Sequence, residues 1–334
     1  MNITFFGIKR SEAYEKRHIN NVLKKHKLSF FKEHIDEENI KKAKNSDIIC
    51  VFINSRVTKE VLNKLPKLKM IAARSTGFDH IDIKECRKRK LIVANVPFYG
   101  ENTVAEHTFG LILSLSRHIH TSYVRTINEN FSIEGLTGFD LKGKTLGVVG
   151  SGHIGLHVIK IAKGFGMNVL AFDVYKNKFV AEVLGFKYVD MDTLLSKADI
   201  ITLHTPLNKY TRHIINKKNI KKIKNGAILI NTARGELVDT MALHEALKSK
   251  QLAGAGLDVI EGEQMVKEEH QRGHHKKHIK WKRLLQDYDI FKMDNVVFTP
   301  HNAFNSREAI RRIVDTTLDN IVSFIKKKPK NIVS

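Results

Sequence analysis

One stretch, residues 145–173, limits the fold more than any other part of the chain. It opens with a short apolar run, Leu146 to Val149, passes through Gly150-x-Gly152-x-x-Gly155, and continues as an amphipathic segment of helical period. A second apolar run, Asn168 to Phe172, ends in Asp173. Strand, glycine turn, helix, strand and acid in that order predict a βαβ unit that binds a dinucleotide. Gly150 permits the tight turn, Gly152 lets a pyrophosphate approach the backbone, and Gly155 lets the helix pack close to the sheet. The N–H groups of the helix start, at His153 and Ile154, favour the doubly charged pyrophosphate. Asp173 is placed to accept hydrogen bonds from an adenosine ribose diol. A glycine-rich turn without a ligand is the alternative, and the flanking strand, helix and acid weigh against it.

A chain of 334 residues has room for about two domains. Its 42% hydrophobic content builds ordinary cores, so disorder is not the expectation. Two cysteines, Cys50 and Cys86, make no disulfide framework and fit reduced thiols in a cytosol. The first residues read as a strand and lack the charged and apolar regions of a signal peptide, and no apolar run approaches spanning length. The expected location is therefore cytoplasmic, with no membrane partner. A net charge of +22 raises nucleic-acid binding. The lysines are spread along the whole chain, however, and no helix-turn-helix, zinc-finger or aromatic RNA-binding pattern accompanies them. A lysine-rich solvated surface is the preferred reading, with no nucleic-acid partner.

Before the glycine motif, Ile3–Phe6, Ile48–Phe52, Met70–Ala73 and Leu91–Ala94 read as strands separated by stretches of helical length. That alternation predicts a parallel sheet with helices on both faces, an α/β architecture. Thr103-Val-Ala-Glu106 resembles a capping box that opens a long apolar helix to about Leu115 and links two domains. After the motif, each strand leads into chemically capable residues. Ile200–Leu203 leads to His204-Thr205-Pro206, Ala227–Ile230 to Asn231-Thr-Ala233-Arg234-Gly235, Ala253–Leu257 to Asp258, Glu261 and Glu263, and Val296–Phe298 to Thr299-Pro-His301. In a doubly wound sheet, ligands bind outside the carboxyl ends of the strands, so these residues converge with the glycine loop on one crevice. Thr205, Pro206 and Ala233 are expected on the cofactor side. A final helix, capped by Asn305 with Glu308, carries Ile310, Ile313, Val314, Leu318, Ile321 and Ile325 on one face and is expected to pack on the amino-terminal domain.

Residues 264–294 are rich in Lys and His. His270, His274 and His278 have the spacing for one helical face, but Gly273 interrupts it and no cysteine completes a metal site. A solvated helical insertion is expected, and no metal. Arg234 offers a planar fork of donors that matches a carboxylate. His301 gives or takes a proton near neutral pH. Glu263 is suited to hold the other imidazole nitrogen and stabilise the cation. Asp258 either supports that network or simply ends a strand. A nicotinamide cofactor with Arg, His and Glu makes a site that moves a hydride and a proton between a 2-hydroxy acid and a 2-keto acid.

Over nearly its whole length the sequence resembles the D-isomer-specific 2-hydroxyacid dehydrogenases, most of all their D-lactate dehydrogenases. The motifs are Arg74-Ser-Thr-Gly-Phe-Asp-His-Ile-Asp82, Asn95-Val-Pro-Phe-Tyr-Gly-Glu-Asn-Thr-Val-Ala-Glu-His107, the glycine motif, Asn231-Thr-Ala-Arg-Gly235, Gly256-Leu-Asp-Val-Ile-Glu-Gly-Glu263 and Thr299-Pro-His-Asn-Ala303. The resemblance implies two Rossmann-like, doubly wound parallel-sheet domains with the active site in the cleft between them. Residues 1–98 plus 303–334 would bind substrate and residues 99–302 would bind NAD, in a homodimer. It implies Arg234, Glu263 and His301 as catalytic residues, Asp258 at the cofactor site, the backbone of Thr76-Gly77 for the substrate carboxylate, and Tyr99 beside the substrate. The sequence departs from the pattern at Gln264, where the basic insertion opens, at Thr76 and at Phe78, which bear on substrate size. Rival readings are a hydroxypyruvate or glyoxylate reductase, a phosphoglycerate dehydrogenase, and a non-catalytic NAD-sensing corepressor. No added regulatory domain is expected after the last helix, which disfavours the phosphoglycerate reading. Formate dehydrogenases of the family carry Gln where Glu263 stands, which disfavours that activity.

Overall fold

The structure, a computed structural model, describes residues 1–8, 13–263 and 289–334. It divides into two compact units, one of Met1–Tyr99 with Asn305–Ser334 and one of Gly100–Phe304. In chain order the first contributes β1 (Asn2–Phe6), α1 (Ala13–Val22), β2 (Lys27–Phe31), β3 (Ile48–Val51), α2 (Lys59–Asn63), β4 (Met70–Ala73), α3 (Ile83–Lys88) and β5 (Ile92–Ala94). The second follows with α4 (Glu101–Ser116), α5 (Ile119–Ile127), β6 (Thr145–Val149), α6 (His153–Gly164), β7 (Asn168–Phe172), α7 (Lys178–Leu184) and β8 (Lys187–Tyr188). It continues through α8 (Met191–Lys197), β9 (Ile200–Leu203), β10 (Ala227–Asn231), α9 (Thr240–Lys248), β11 (Leu252–Leu257) and β12 (Val296–Phe298). Helix α10 (Arg307–Ile325) returns to the first unit.

The first sheet has five parallel strands in the order β2-β1-β3-β4-β5, the second seven in the order β12-β11-β10-β9-β6-β7-β8. Parallel strands covered on both faces are apolar at nearly every position, and the alternation of their side chains then feeds two cores. In β3, Ile49 and Val51 enter one core with Phe6, Ile71 and Val93, while Ile48 and Cys50 enter the other with Ile3, Phe5 and Met70. In β10, Leu229 faces the core of α8 and α9, and Ile228 and Ile230 face that of α4 and α6. Helix α10 closes the second face of the first sheet with Val314, Leu318 and Ile321.

The structure corrects several sequence expectations. Helix α4 starts at Glu101 after Gly100, which offers no side-chain cap, and Thr103 lies buried inside the helix rather than capping it. The cap of α10 is Ser306, whose hydroxyl accepts from Ala309 N at 3.1 Å, one position after the expected Asn305. Strands β2 and β8 were not expected. Residues 264–288, with His270, His274 and His278, lie outside the described residues. In the described remainder of that segment Ile290 is fully buried in the core of the second unit. No helix among the described residues is long and apolar enough to cross a membrane.

Candidate active site

The glycine loop of the second unit shows why each glycine stands where it does. Gly150 has φ +97°, and a Cβ there would lie 2.8 Å from the His204 carbonyl oxygen. A Cβ on Gly155 would overlap the Gly150 carbonyl oxygen, so α6 meets the turn without clearance. At Gly152 a Cβ would meet no described atom within 4 Å. That position is open above the first turn of α6, where His153 and Ile154 present helix-start N–H groups. Two positions forced by packing and one left open make a cradle for a pyrophosphate, and the residues present fit a bound dinucleotide.

Asp173 sits at the end of β7, half-buried. Its Oδ2 accepts from Ser151 N at 2.7 Å and Ser151 Oγ at 3.1 Å, and its Oδ1 accepts from Tyr175 N at 3.0 Å. Ser151 Oγ also lies 2.9 Å from Tyr188 OH on β8. The carboxylate is thus oriented from the glycine loop itself. At the end of β9, Thr205 Oγ1 is buried with no hydrogen-bond partner among the described residues, a polar atom that a ligand hydroxyl or phosphate would satisfy. Its neighbour His204 pairs Nε2 with Thr202 Oγ1 at 2.8 Å, and burial pushes its imidazole down to about 3, so it is neutral. Pro206 is exposed beside them.

The exits of β10, β11 and β12 are neighbours along the same carboxyl edge. At the first, Asn231 pins the loop: its Nδ2 donates to Arg234 O at 2.8 Å and its Oδ1 accepts from Ala233 N at 3.1 Å. Arg234 Nη1 donates to Ala233 O at 2.7 Å. A Cβ on Gly235 would overlap the Ile260 carbonyl, so this loop lies directly against the backbone that leads to Glu263. Glu263 Oε1 and His301 Nδ1 are 2.6 Å apart, with side chains 18% and 16% exposed. A carboxylate only accepts, so Nδ1 carries a proton and Nε2 is the nitrogen left to exchange one. His301 itself is left-handed, with φ +55°. Asp258 is fully buried and accepts from Asn302 N at 2.9 Å, from Ala303 N at 2.9 Å and from Thr299 Oγ1. One carboxylate therefore holds the whole turn that presents His301.

The remaining expected residues belong to the first unit. Thr76 and Gly77 follow β4. Thr76 Oγ1 donates to Val96 O at 2.8 Å, and Asn95 Nδ2 donates to Thr76 O at 2.8 Å. Neither backbone N–H of the pair has a protein partner among the described residues. Tyr99 is half-buried, and its carbonyl accepts from Arg312 Nε on α10. Sequence reasoning missed His107 and Thr108 on α4 and their partners Thr299 and Thr232. His107 carried a signal in the Ala-Glu-His run quoted above, but nothing local showed what it touches.

A two-unit α/β protein with a dinucleotide cradle and a histidine–glutamate pair at one sheet edge defines a class of nicotinamide-dependent oxidoreductases. A sequence profile described as "D-isomer specific 2-hydroxyacid dehydrogenase, NAD binding domain" matches residues 109–303. The "2-hydroxyacid dehydrogenase homolog" of Haemophilus influenzae is 39% identical over 323 residues, 94% of each chain. The "D-lactate dehydrogenase" of Escherichia coli is 39% identical over 324 residues, 95% of each. Among solved structures, D-lactate dehydrogenase from Aquifex aeolicus complexed with NAD and lactic acid superposes with a TM-score of 0.89 at 35% identity, covering 99% of each chain. The chain belongs to the D-isomer-specific 2-hydroxyacid dehydrogenases, an NAD-dependent enzyme family.

Proposed function

We propose that the protein is a D-lactate dehydrogenase that reduces pyruvate with NADH, with Arg234, Glu263 and His301 as its catalytic residues. The observation that carries this reading is the His301–Glu263 pair at 2.6 Å, held in the same unit and at the same sheet edge as the glycine loop. The relatives whose names specify lactate direct the choice of keto acid.

In this reading Gly150, Gly152, His153, Ile154 and Gly155 seat the pyrophosphate, and Asp173 takes the ribose diol. Thr205, Pro206, Ala233 and Asp258 line the cofactor side. Bound NADH supplies the hydride. Arg234 anchors the keto acid's carboxylate as a fork of charged donors, assisted by the N–H groups of Thr76 and Gly77, with Tyr99 beside the substrate. Protonated His301 gives its Nε2 proton to the carbonyl oxygen as the alcohol forms, and Glu263 stabilises the cation until then. In oxidation neutral His301 takes that proton back. Orientation and charge stabilisation supply most of the rate.

Residues 1–98 with 303–334 are assigned to substrate and 99–302 to NAD, in a cytoplasmic homodimer. Exposed apolar side chains on and just after α5 (Tyr123, Ile127, Phe131 and Ile133) support self-association. The decisive experiment follows NADH oxidation over pyruvate, hydroxypyruvate, glyoxylate, oxaloacetate and branched 2-keto acids, with chiral analysis of the product. Highest kcat/KM with pyruvate and a D product is expected. Preference for glyoxylate or hydroxypyruvate would reassign the substrate, and no turnover with any would remove the enzymatic reading.

A further inference from the structure

Two adjacent residues of α4 reach two of the three loops that hold the proposed catalytic groups. Thr108 Oγ1 donates to Val104 O at 2.8 Å, so in its 3.0 Å contact with Thr232 Oγ1 it accepts, and the helix is tied to the loop of Arg234. His107 Nε2 lies 3.0 Å from Thr299 Oγ1 and 3.6 Å from Asp258 Oδ1. The proton order follows from the acceptor at the end. Asp258 can only accept, so the single Thr299 hydroxyl proton goes to Oδ1. Thr299 Oγ1 can then only accept from His107, whose Nε2 must carry a proton. The same Asp258 carboxylate receives Asn302 N and Ala303 N just after His301, which the turn holds in its left-handed conformation, while Thr299 binds it from just before.

We propose that His107 is a positioning residue for the hydride-transfer reaction. Through the directed chain His107 Nε2–H to Thr299 O–H to Asp258, it fixes the carboxylate that clamps residues 299–303, and so sets where His301 delivers its proton. This rests on His301 being the acid–base group. Without His107 the Thr299 hydroxyl loses the donor that fixes its direction, so its bond to Asp258 is no longer held in place; a shift in the turn then misaligns the imidazole while leaving the glycine loop untouched. His107 and Thr299 are 192 positions apart, so the contact is a product of the fold and not of local chain geometry.

The test uses the full-length enzyme, with kcat and KM for the keto acid, the NADH dissociation constant by fluorescence titration, and the melting temperature. His107→Phe and Thr299→Val should each lower kcat about tenfold, with KM and NADH affinity changed less than about twofold. His107→Gln keeps an N–H at the same reach and should recover most of the rate. The double variant His107→Phe/Thr299→Val should be no slower than Thr299→Val alone, because either change breaks the same chain. Additive losses, a His107→Gln enzyme as slow as His107→Phe, or a loss of NADH affinity matching the loss of rate would overturn the proposal. Should His107→Phe not fold, the comparison of His107→Gln with Thr299→Val decides it. A His301→Gln enzyme of wild-type rate would instead overturn the acid–base reading beneath it.

Discussion

The two sheets are built on one plan. The order β2-β1-β3-β4-β5 recurs in the second unit as β7-β6-β9-β10-β11, with β8 added at one edge and β12 at the other. Even the fastening of the first strand is repeated. Asp47, just before β3, accepts from Asn2 N at 2.9 Å and from Lys69 Nζ at 2.9 Å. Asp199, just before β9, accepts from Thr145 N at 2.8 Å and from Lys224 Nζ at 2.7 Å. The units differ at the opposite, carboxyl edge. Where β5 ends, the neutral amide of Asn95 braces the Thr76 loop; where β11 ends, the buried carboxylate of Asp258 braces the His301 turn. The frame is common and the chemistry is added, mostly by the extra strand β12 and by loops that follow shared strands.

If that division holds, His301 has no counterpart in the first unit and its loss should be the most damaging. His301→Gln is expected to cut both directions at every pH by roughly two to four orders of magnitude. Wild-type reduction should fall with rising pH as the imidazole loses the proton it donates, while oxidation improves. Glu263→Gln, which replaces the charged acceptor of the His301 Nδ1 proton with a neutral amide, should lower kcat in both directions, and a wild-type kcat would make Glu263 structural. Next, Arg234→Gln should lose at least about 3 kcal/mol of transition-state stabilisation in kcat/KM with NADH binding little changed, which steady-state kinetics beside a fluorescence titration will measure.

Asp173→Ala should erode the preference for NADH over NADPH, since the carboxylate repels a 2′-phosphate. Equal wild-type efficiency with both cofactors would contradict this. The smallest effects test the shared frame. Asp47→Asn and Asp199→Asn should each cost about 1–3 kcal/mol of stability, measured by denaturant unfolding. Both groups are held below the usual carboxylate range, Asp47 by the Asn2 N–H and Lys69. For Asp199 burial pushes upward but Lys224 and the Thr145 N–H outweigh it. A depressed carboxylate stabilises the fold above its unfolded value and loses that contribution as pH falls below it, near ~4. The two variants should therefore flatten the acid limb of stability alike. An effect confined to one would break the equivalence.

Much of this was legible in the residues, for identifiable reasons. Central parallel strands are apolar at nearly every position, so β3, β4, β6, β9 and β10 stand out against a lysine-rich chain. Strand β2, Lys-Leu-Ser-Phe-Phe, is a half-buried edge among basic residues, and β8 is a two-residue strand; neither has the length to show a period. The cap of α10 was displaced by one residue because Asn305 and Ser306 are equally good caps and only backbone direction chooses between them. The glycine motif, Arg234, Glu263 and His301 were visible because each follows a strand. The brace from α4 was not, because His107 sits within a long apolar helix and its partner is remote in sequence.

The first unit is interrupted by the whole of the second: Met1–Tyr99 begins it and Asn305–Ser334 ends it. Its core is incomplete until Val314, Leu318 and Ile321 arrive. During synthesis at ~5–20 residues per second, the opening sheet must wait roughly ten to fifty seconds with one face covered by α1 alone, while Gly100–Phe304 emerges. The order of birth is thus the reverse of the order of reading. The segment written first is the last to complete its core, and a chain stopped before α10 would carry a first unit that lacks Val314, Leu318 and Ile321.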